Sequence, residues 1–331
     1  MIEVSAPVRI CDNGGWTDTW FGGPGRVVNI AVAPGARVTV RRIDGQPRVE
    51  LDIAAGGDRY DVVPGELRTP RYPLVEAAVD VLPPPGDVAV EIAVGCDVPP
   101  GSGTGTSAAV AVALVGALGA ARHEVRTAGE IARVAHRLEV DVLGAESGIQ
   151  DQLSSVHGGI SYIEIDSYPD ATVRTLPPWD ELGSLLTLVY LGRAHDSSSV
   201  HRDVINSVNR AGSVAFAQLR DAATAARDAV LAQDLRAFGR ATIANTEAQR
   251  ALHPALVGID ADRVIRCAEA HGAVGWKVNG AGGDGGSVTI VSPTAAVKHD
   301  VEAQITAQAE RYQVLPVSVS STGLLVEGSS P

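Results

Sequence analysis

The stretch that most constrains this chain is DVPPGSGTGTSAA, residues 97–109. An alternating apolar run over 88–94 leads into it. Pro99 and Pro100 end that run as a strand, because proline has no N–H to give to a sheet. Three glycines follow in alternate positions, Gly101, Gly103 and Gly105, interleaved with Ser102, Thr104 and Thr106. An alanine-rich helix is expected behind them, over 106–121. Its apolar run falls short of the ~20 residues of a membrane span, so it belongs inside the protein. Glycines let backbone N–H groups approach a ligand with no Cβ in the way. The helix start adds partial positive charge, which suits an anion and most naturally a phosphate chain. The alternative is a tight strand-to-helix turn that binds nothing.

Composition bounds the rest. A chain of 331 residues is long enough for two domains, and 45% hydrophobic residues exclude a disordered protein. A net charge of −12 argues against nonspecific binding to nucleic acid or anionic membrane. An acidic protein that handles polyphosphate needs a divalent cation or local Arg and Lys. Cys11, Cys96 and Cys267 are widely spaced and odd in number, without metal-ligand spacing, which fits a reducing cytoplasm. The start, MIEVSAPVRI, lacks a basic segment followed by an apolar core, so no signal peptide is expected.

Residues 1–95 are expected to be strand-rich, with strands at 27–32, 36–41, 48–53 and 88–94 and a short helix at 72–82. A second long helix starts with a capping box, Thr127 followed by Glu130, and carries the apolar stripe Ile131, Val134, Ala135, Leu138 and Val142. A short helix near 150–156 precedes a strand at 160–165, and Pro177-Pro178 suggests a hinge. Beyond it come a strand at 185–191, helices at 199–232, 235–252 and 261–271, strands at 275–278 and 286–291, a helix at 295–308 and a strand at 315–320. The pattern predicts an α+β protein of two domains, 1–180 and 181–331.

Three further clusters stand out. GAGGDGG, 280–286, matches Gly-x-Gly-x-x-Gly, but a strand-like SVTIV follows where a dinucleotide fingerprint needs a helix. Five glycines in seven residues point to close approach of a backbone or ligand. APVRICDNGGWTDTW, 6–20, places Trp16 and Trp20 on either side of Asp18, like the lining of a polyol pocket. GAESGIQDQLSSVHGG, 144–159, sets Asp151 between two glutamines; taken alone, an aspartate there is more often an N-cap than a catalytic group.

Taken together, the clusters resemble the GHMP kinases, the superfamily of galactokinase, homoserine, mevalonate and phosphomevalonate kinases. APVRICDNGGWTD is similar to the family's Ala-Pro-Gly-Arg start, PPGSGTGTSAA to its ATP-binding motif, and KVNGAGGDGGSVTI to its C-terminal glycine loop. All three occur in order. GGWTD and GIQDQ look most like the sugar anomeric kinases of the fucokinase and manno-heptose-phosphate kinase groups.

The resemblance implies a two-domain fold, with an N-terminal ribosomal-protein-like α/β domain and a C-terminal ferredoxin-like α+β domain. It implies ATP and Mg²⁺ as cofactors, with a small sugar as partner and room for a homodimer. Pro100, Gly101, Ser102, Gly103, Thr104, Gly105, Thr106 and Ser107 would hold ATP, helped by Gly282 and Gly283. Ser107 and Glu139 would hold the metal; periodicity alone does not choose Glu139 over Asp141. Asp151 would be the general base, with Arg9 as its cation. Asp18 would bind sugar hydroxyls, alongside Gly15, Trp16, Thr17 and Gln150; in LGRAHDSSSVHRDV, 191–204, Arg193, His195 and Arg202 would contact a distal phosphate on the sugar, with a polar helix start as the equal alternative. Asp284 departs from the family's glycine run, and Cys11, Asp12 and Asn13 from the apolar residues of the fucokinase group. The first leaves a role open and the second leaves the sugar open. The implied activity is phosphoryl transfer from ATP to the anomeric hydroxyl of a heptose, heptose 7-phosphate or fucose-like sugar. Another small alcohol, or a sensor without activity, are the alternatives.

Overall fold

The computed structural model describes residues 1–66, 70–194, 204–205 and 210–328. Its spine is an antiparallel pair of long strands, β1 (Ile2–Asn13) and β2 (Gly25–Ile43). Around them a nine-stranded sheet runs in the order β13–β1–β2–β5–β3–β4, with β3 at Arg48–Ile53, β4 at Asp58–Val62, β5 at Ala89–Cys96 and β13 at Leu325–Gly328. β3 and β5 run parallel, connected through β4 and helix α1 (Pro73–Val81). The early half of β2 pairs instead with β6 (Ile160–Ser167), and β6 with β7 (Asp170–Thr175).

The two strands expected at 27–32 and 36–41 are one strand of 19 residues. Pro34-Gly35 suggests a turn, yet the chain passes straight through it. The β1–β2 register shifts between Ala6, opposite Ala36, and Val8, opposite Val32, so a bulge takes up Pro34 and Gly35. The missing proline N–H then removes no ladder hydrogen bond.

Helix α2 (Thr106–Ala121) lies across β1 and β2. It is apolar on every side and buried on nearly every side; only Thr106, Ser107, Val110 and Ala120 escape full burial. Beside it lie α3 (Ala128–Arg137) and α4 (Gln150–His157). The capping box at the start of α3 is formed: Thr127 N–H donates to Glu130 Oε2 at 2.7 Å, and Glu130 N–H to Thr127 Oγ1 at 3.3 Å. The helix does not carry its stripe to Val142. It widens into a π-turn at Leu138–Val142, which leaves Val142 exposed and Glu139 buried. Such turns are rare and concentrate at functional sites.

After α5 (Asp180–Leu185), a second sheet of four antiparallel strands has the order β11–β8–β10–β9. These are β8 (Leu186–Tyr190), β9 (Gly275–Val278), β10 (Ser287–Val291) and β11 (Gln313–Leu315). Its core packs Val189, Val288 and Ile290 against Val264, Ile265, Val301 and Ile305 of α8 (Ile259–Ala270) and α9 (Ala295–Gln308). Helices α6 (Arg210–Ala232) and α7 (Leu235–Leu252) pack as a pair, α6 reaching β2 and α7 reaching β9. The end of the chain returns to the first sheet. β12 (Ser318–Val319) pairs with β2, and β13 pairs with β1. The α+β class matches the expectation. Among the described residues no helix is long and apolar enough to cross a membrane.

Candidate active site

The glycine loop and α2 form one wall of a cavity between the two sheets. Gly101, Gly103 and Gly105 all have left-handed backbone, with φ of 70°, 76° and 71°. Gly105 is the N-cap of α2 and offers no side chain to its first turn. The helix therefore starts with its N–H groups uncovered by any cap, and Thr106, Ser107 and Ala108 line the cavity with the three glycines. Ser102 and Thr104 are fully buried, their hydroxyls 2.7 Å apart. They brace the loop from beneath and do not line the cavity; Pro100 is exposed beside it.

Arg9 of β1 and Asp151 of α4 meet across this loop. Arg9 Nε donates to Asp151 Oδ1 at 2.8 Å and Nη2 to Oδ2 at 3.0 Å, a bidentate fork. Arg9 Nη1 donates to the Gly103 carbonyl, and its backbone N–H to the Thr104 carbonyl at 2.9 Å. Burial opposes the charge on Arg9, but Asp151 and Asp12 outweigh it, and the guanidinium is held above its ordinary pKa. A Cβ on Gly105 would sit 3.0 Å from Asp151 Oδ2, so the absent side chain makes room for the carboxylate.

The π-turn delivers Glu139 to the start of α2. Its carboxylate accepts from Ser107 Oγ and from Gln152 Nε2. Burial pushes its pKa up to about 7; the Ser107 hydrogen bond opposes this and the Asp151 charge adds to it. Asp141, two residues on, is exposed. Among the described residues no group of three or more His, Cys, Asp or Glu side chains is placed to hold a metal. A buried carboxylate beside a hydroxyl is nevertheless a hard-oxygen pair, which suits Mg²⁺ once phosphate and water supply the other ligands.

At the other end stands Asp18, almost fully buried. Its Oδ2 accepts the Gln150 N–H at 3.2 Å. A Cβ on Gly148 would lie 1.8 Å from that oxygen, so only glycine fits there. Burial, with the charge of Asp151 close by, pushes the Asp18 carboxyl up to about 7. Trp16, Thr19, Glu146 and Ser147 complete this end. Trp20 is half exposed and donates from Nε1 to Glu146 Oε2 at 2.7 Å.

The second glycine cluster closes the cavity from the other sheet. Gly280 and Ala281 line it. Gly282 and Gly283 turn away: a Cβ on Gly282 would strike the Leu256 carbonyl, which accepts the Gly283 N–H at 3.0 Å. Asp284 is exposed, its charge turned out to solvent. A bulge in β1 between Ile10 and Asn13, with Cys11 at φ 53°, aims Asp12 at this loop. Asp12 accepts the Gly280 N–H at 3.1–3.2 Å and pairs with the buried Lys277 ammonium at 3.1 Å. Burial lowers the Lys277 pKa, opposed by Asp12.

The remaining expected residues are placed as follows. Thr17 is buried and donates to the Gly14 carbonyl at 2.6 Å, shaping the turn before Asp18. Gly15 packs against Asp12, where a Cβ would lie 2.6 Å from Oδ2. Gln150 lines the cavity. Arg193 does not reach it, because its guanidinium is taken by Asp260 at 2.8 Å. His195 and Arg202 lie outside the described residues. Residue patterns missed Asp12 and Lys277, 265 positions apart, and Thr19, Glu146 and Gly148. Gly148 left one signal, a glycine inside GAESGIQDQ.

Residues 73–159 match the GHMP kinases N terminal domain. Mevalonate kinase of Methanothermobacter thermautotrophicus is 45% identical over 75 residues, which is 23% of this chain and 24% of that protein. The bifunctional fucokinase/GDP-fucose pyrophosphorylase of Arabidopsis thaliana is 25% identical over 323 residues, covering 89% of this chain and 30% of that protein. The chain thus spans about a quarter to a third of the length of these relatives. A D-glycero-D-manno-heptose 1-phosphate kinase from Bacteriodes thetaiotaomicron superposes over 100% of both chains with a TM-score of 0.79 at 20% identity, which is a likeness of fold. Residues 73–159 thus match the GHMP kinases N terminal domain, and the chain from end to end shares the fold of that heptose 1-phosphate kinase structure.

Proposed function

We propose that this protein transfers the γ-phosphate of ATP to a sugar hydroxyl, namely the anomeric hydroxyl of a heptose, heptose 7-phosphate or fucose-like sugar. The observation that carries the reading is the bidentate Arg9–Asp151 pair, set between a phosphate-type glycine loop and the buried carboxylate of Asp18. A nucleotide's phosphates fit against the start of α2, where glycines and N–H groups favour an anion. The acceptor hydroxyl fits beside Asp151, which takes its proton as the oxygen bonds to phosphorus. The bond from the γ-phosphorus to the bridging oxygen breaks, and ADP leaves. Arg9 orients Asp151 through its two hydrogen bonds, and its charge faces the moving phosphoryl group. Asp18 can accept hydrogen bonds from two neighbouring sugar hydroxyls and so fix which hydroxyl meets Asp151. Ser107 and Glu139 would hold Mg²⁺, which when bound neutralises phosphate charge.

The test is an ATP-turnover screen across heptoses, heptose 7-phosphates, L-fucose, D-arabinose, galactose, glucuronate and mevalonate. ADP release that depends on a sugar supports the reading. Release with mevalonate alone assigns the chain to a different acceptor, and none with any acceptor leaves a binding protein.

A further inference from the structure

The acceptor end of the cavity is lined by acidic side chains, of which Asp151 is paired with Arg9 and Asp18 is almost fully buried. Asp18, Glu146 and Asp151 present three carboxylates there. Among the described residues that line the cavity, Arg9 is the one cation, and its three guanidinium nitrogens are taken by Asp151 and the Gly103 carbonyl. Arg193, a basic side chain that follows the second sheet's β8, is held by Asp260. Glu146 is itself fixed: the Trp20 indole N–H holds one carboxylate oxygen at 2.7 Å. Trp20 in turn packs edge-on against Phe21, with ring centroids 5.3 Å apart, and Phe21 lies 6.3 Å from Trp16. The carboxylate is thereby anchored to an aromatic cluster at the cavity wall.

From this juxtaposition we infer that the acceptor is an uncharged polyol, and that Glu146, held by Trp20, rejects acceptors bearing a phosphate or carboxylate. The inference rests on the kinase reading above and narrows its acceptor. Carboxylates accept hydrogen bonds from hydroxyls and repel anions, and indole rings present flat apolar faces to the C–H side of a sugar. A phosphate ester brought to within several ångströms of Glu146 meets like charge, a repulsion that added salt screens. Glu146 is a specificity residue here; it takes no part in bond making.

The experiment uses matched pairs: manno-heptose with its 7-phosphate, and galactose with galacturonate. Each is measured for binding by calorimetry and for ATP-dependent turnover, on the full chain and on Glu146→Gln. The inference expects each neutral sugar to be preferred over its charged partner by about tenfold or more at low salt. Raising the salt narrows the gap, and so does Glu146→Gln. Neutral-selective binding without turnover would refute the kinase reading and leave Glu146 as the selector of a neutral-sugar binding site. Turnover with heptose 7-phosphate equal to or above that of heptose would overturn the acceptor assignment and leave the kinase reading standing. A Glu146→Gln protein that keeps the full gap removes Glu146 from the role, and binding of none of the four compounds overturns the inference.

Discussion

Gly103 and Gly280 meet backbone to backbone. A Cβ on Gly280 would sit 2.7 Å from the Gly103 carbonyl oxygen, and one on Gly103 would sit 2.7 Å from the Asn279 carbonyl oxygen. The two glycine clusters, 177 residues apart in the chain, are thus two sides of one contact between the sheets. Gly280 also has φ 63°, a conformation that costs a side-chain-bearing residue about 1–3 kcal/mol. Gly280→Ala should therefore lower stability by at least that amount in urea denaturation and weaken nucleotide binding. Unchanged ATP affinity would show that the contact does not shape the phosphate loop.

Behind that contact lies the buried Asp12–Lys277 pair. Removing one partner leaves a charge in the interior, a loss of roughly 3–5 kcal/mol. Lys277→Met should fall in that range. Asp12→Asn combined with Lys277→Met should recover part of it, because the uncompensated charge is gone. A double-mutant cycle by chemical denaturation measures the coupling, and additive losses would contradict a direct pair.

Arg9 holds Asp151 by two parallel hydrogen bonds, which lysine cannot reproduce. Arg9→Lys keeps the charge and loses the fork. The account expects kcat to fall by about tenfold to a hundredfold while the KM for ATP changes little.

Asp18 gives a pH signature in the ligand-free protein. Burial pushes its pKa up to about 7, above the ordinary 3.8. Over that interval the folded state holds a proton that the unfolded state has lost, so stability falls as pH rises from about 4 to about 7 and then levels. Asp18→Asn mimics the protonated form and lacks this loss. The variant should match the wild type near pH 4 and exceed it by a few degrees in Tm at pH 8. A gap that does not grow with pH would contradict a buried, proton-holding Asp18.

Much of the fold was legible in local chemistry. The apolar α2 followed from its alanine-rich run, and the start of α3 from the Thr127–Glu130 capping box. The Arg9–Asp151 pair and Glu139 were reached through resemblance to a family, since residues 142 positions apart leave no local trace. Other features lay beyond sequence reading because long-range contacts decide them. Pro34-Gly35 has the chemistry of a turn, but a bulge against β1 absorbs it. The π-turn that buries Glu139 breaks a stripe that looked continuous through Val142. Arg193 has the composition of a phosphate ligand, yet Asp260 claims it. Ser102 and Thr104 look like phosphate ligands, and packing turns their hydroxyls toward each other.

The most direct test of the account follows phosphate transfer by ³¹P NMR, with ATP, Mg²⁺ and the neutral sugars, in the wild type and in Asp151→Ala. The account predicts a sugar phosphate formed in step with ADP by the wild type. It predicts a fall of about 10²–10⁴-fold in the variant, with ATP binding retained. Near-normal turnover by Asp151→Ala, or ATP consumed by the wild type with no sugar phosphate formed, would contradict it.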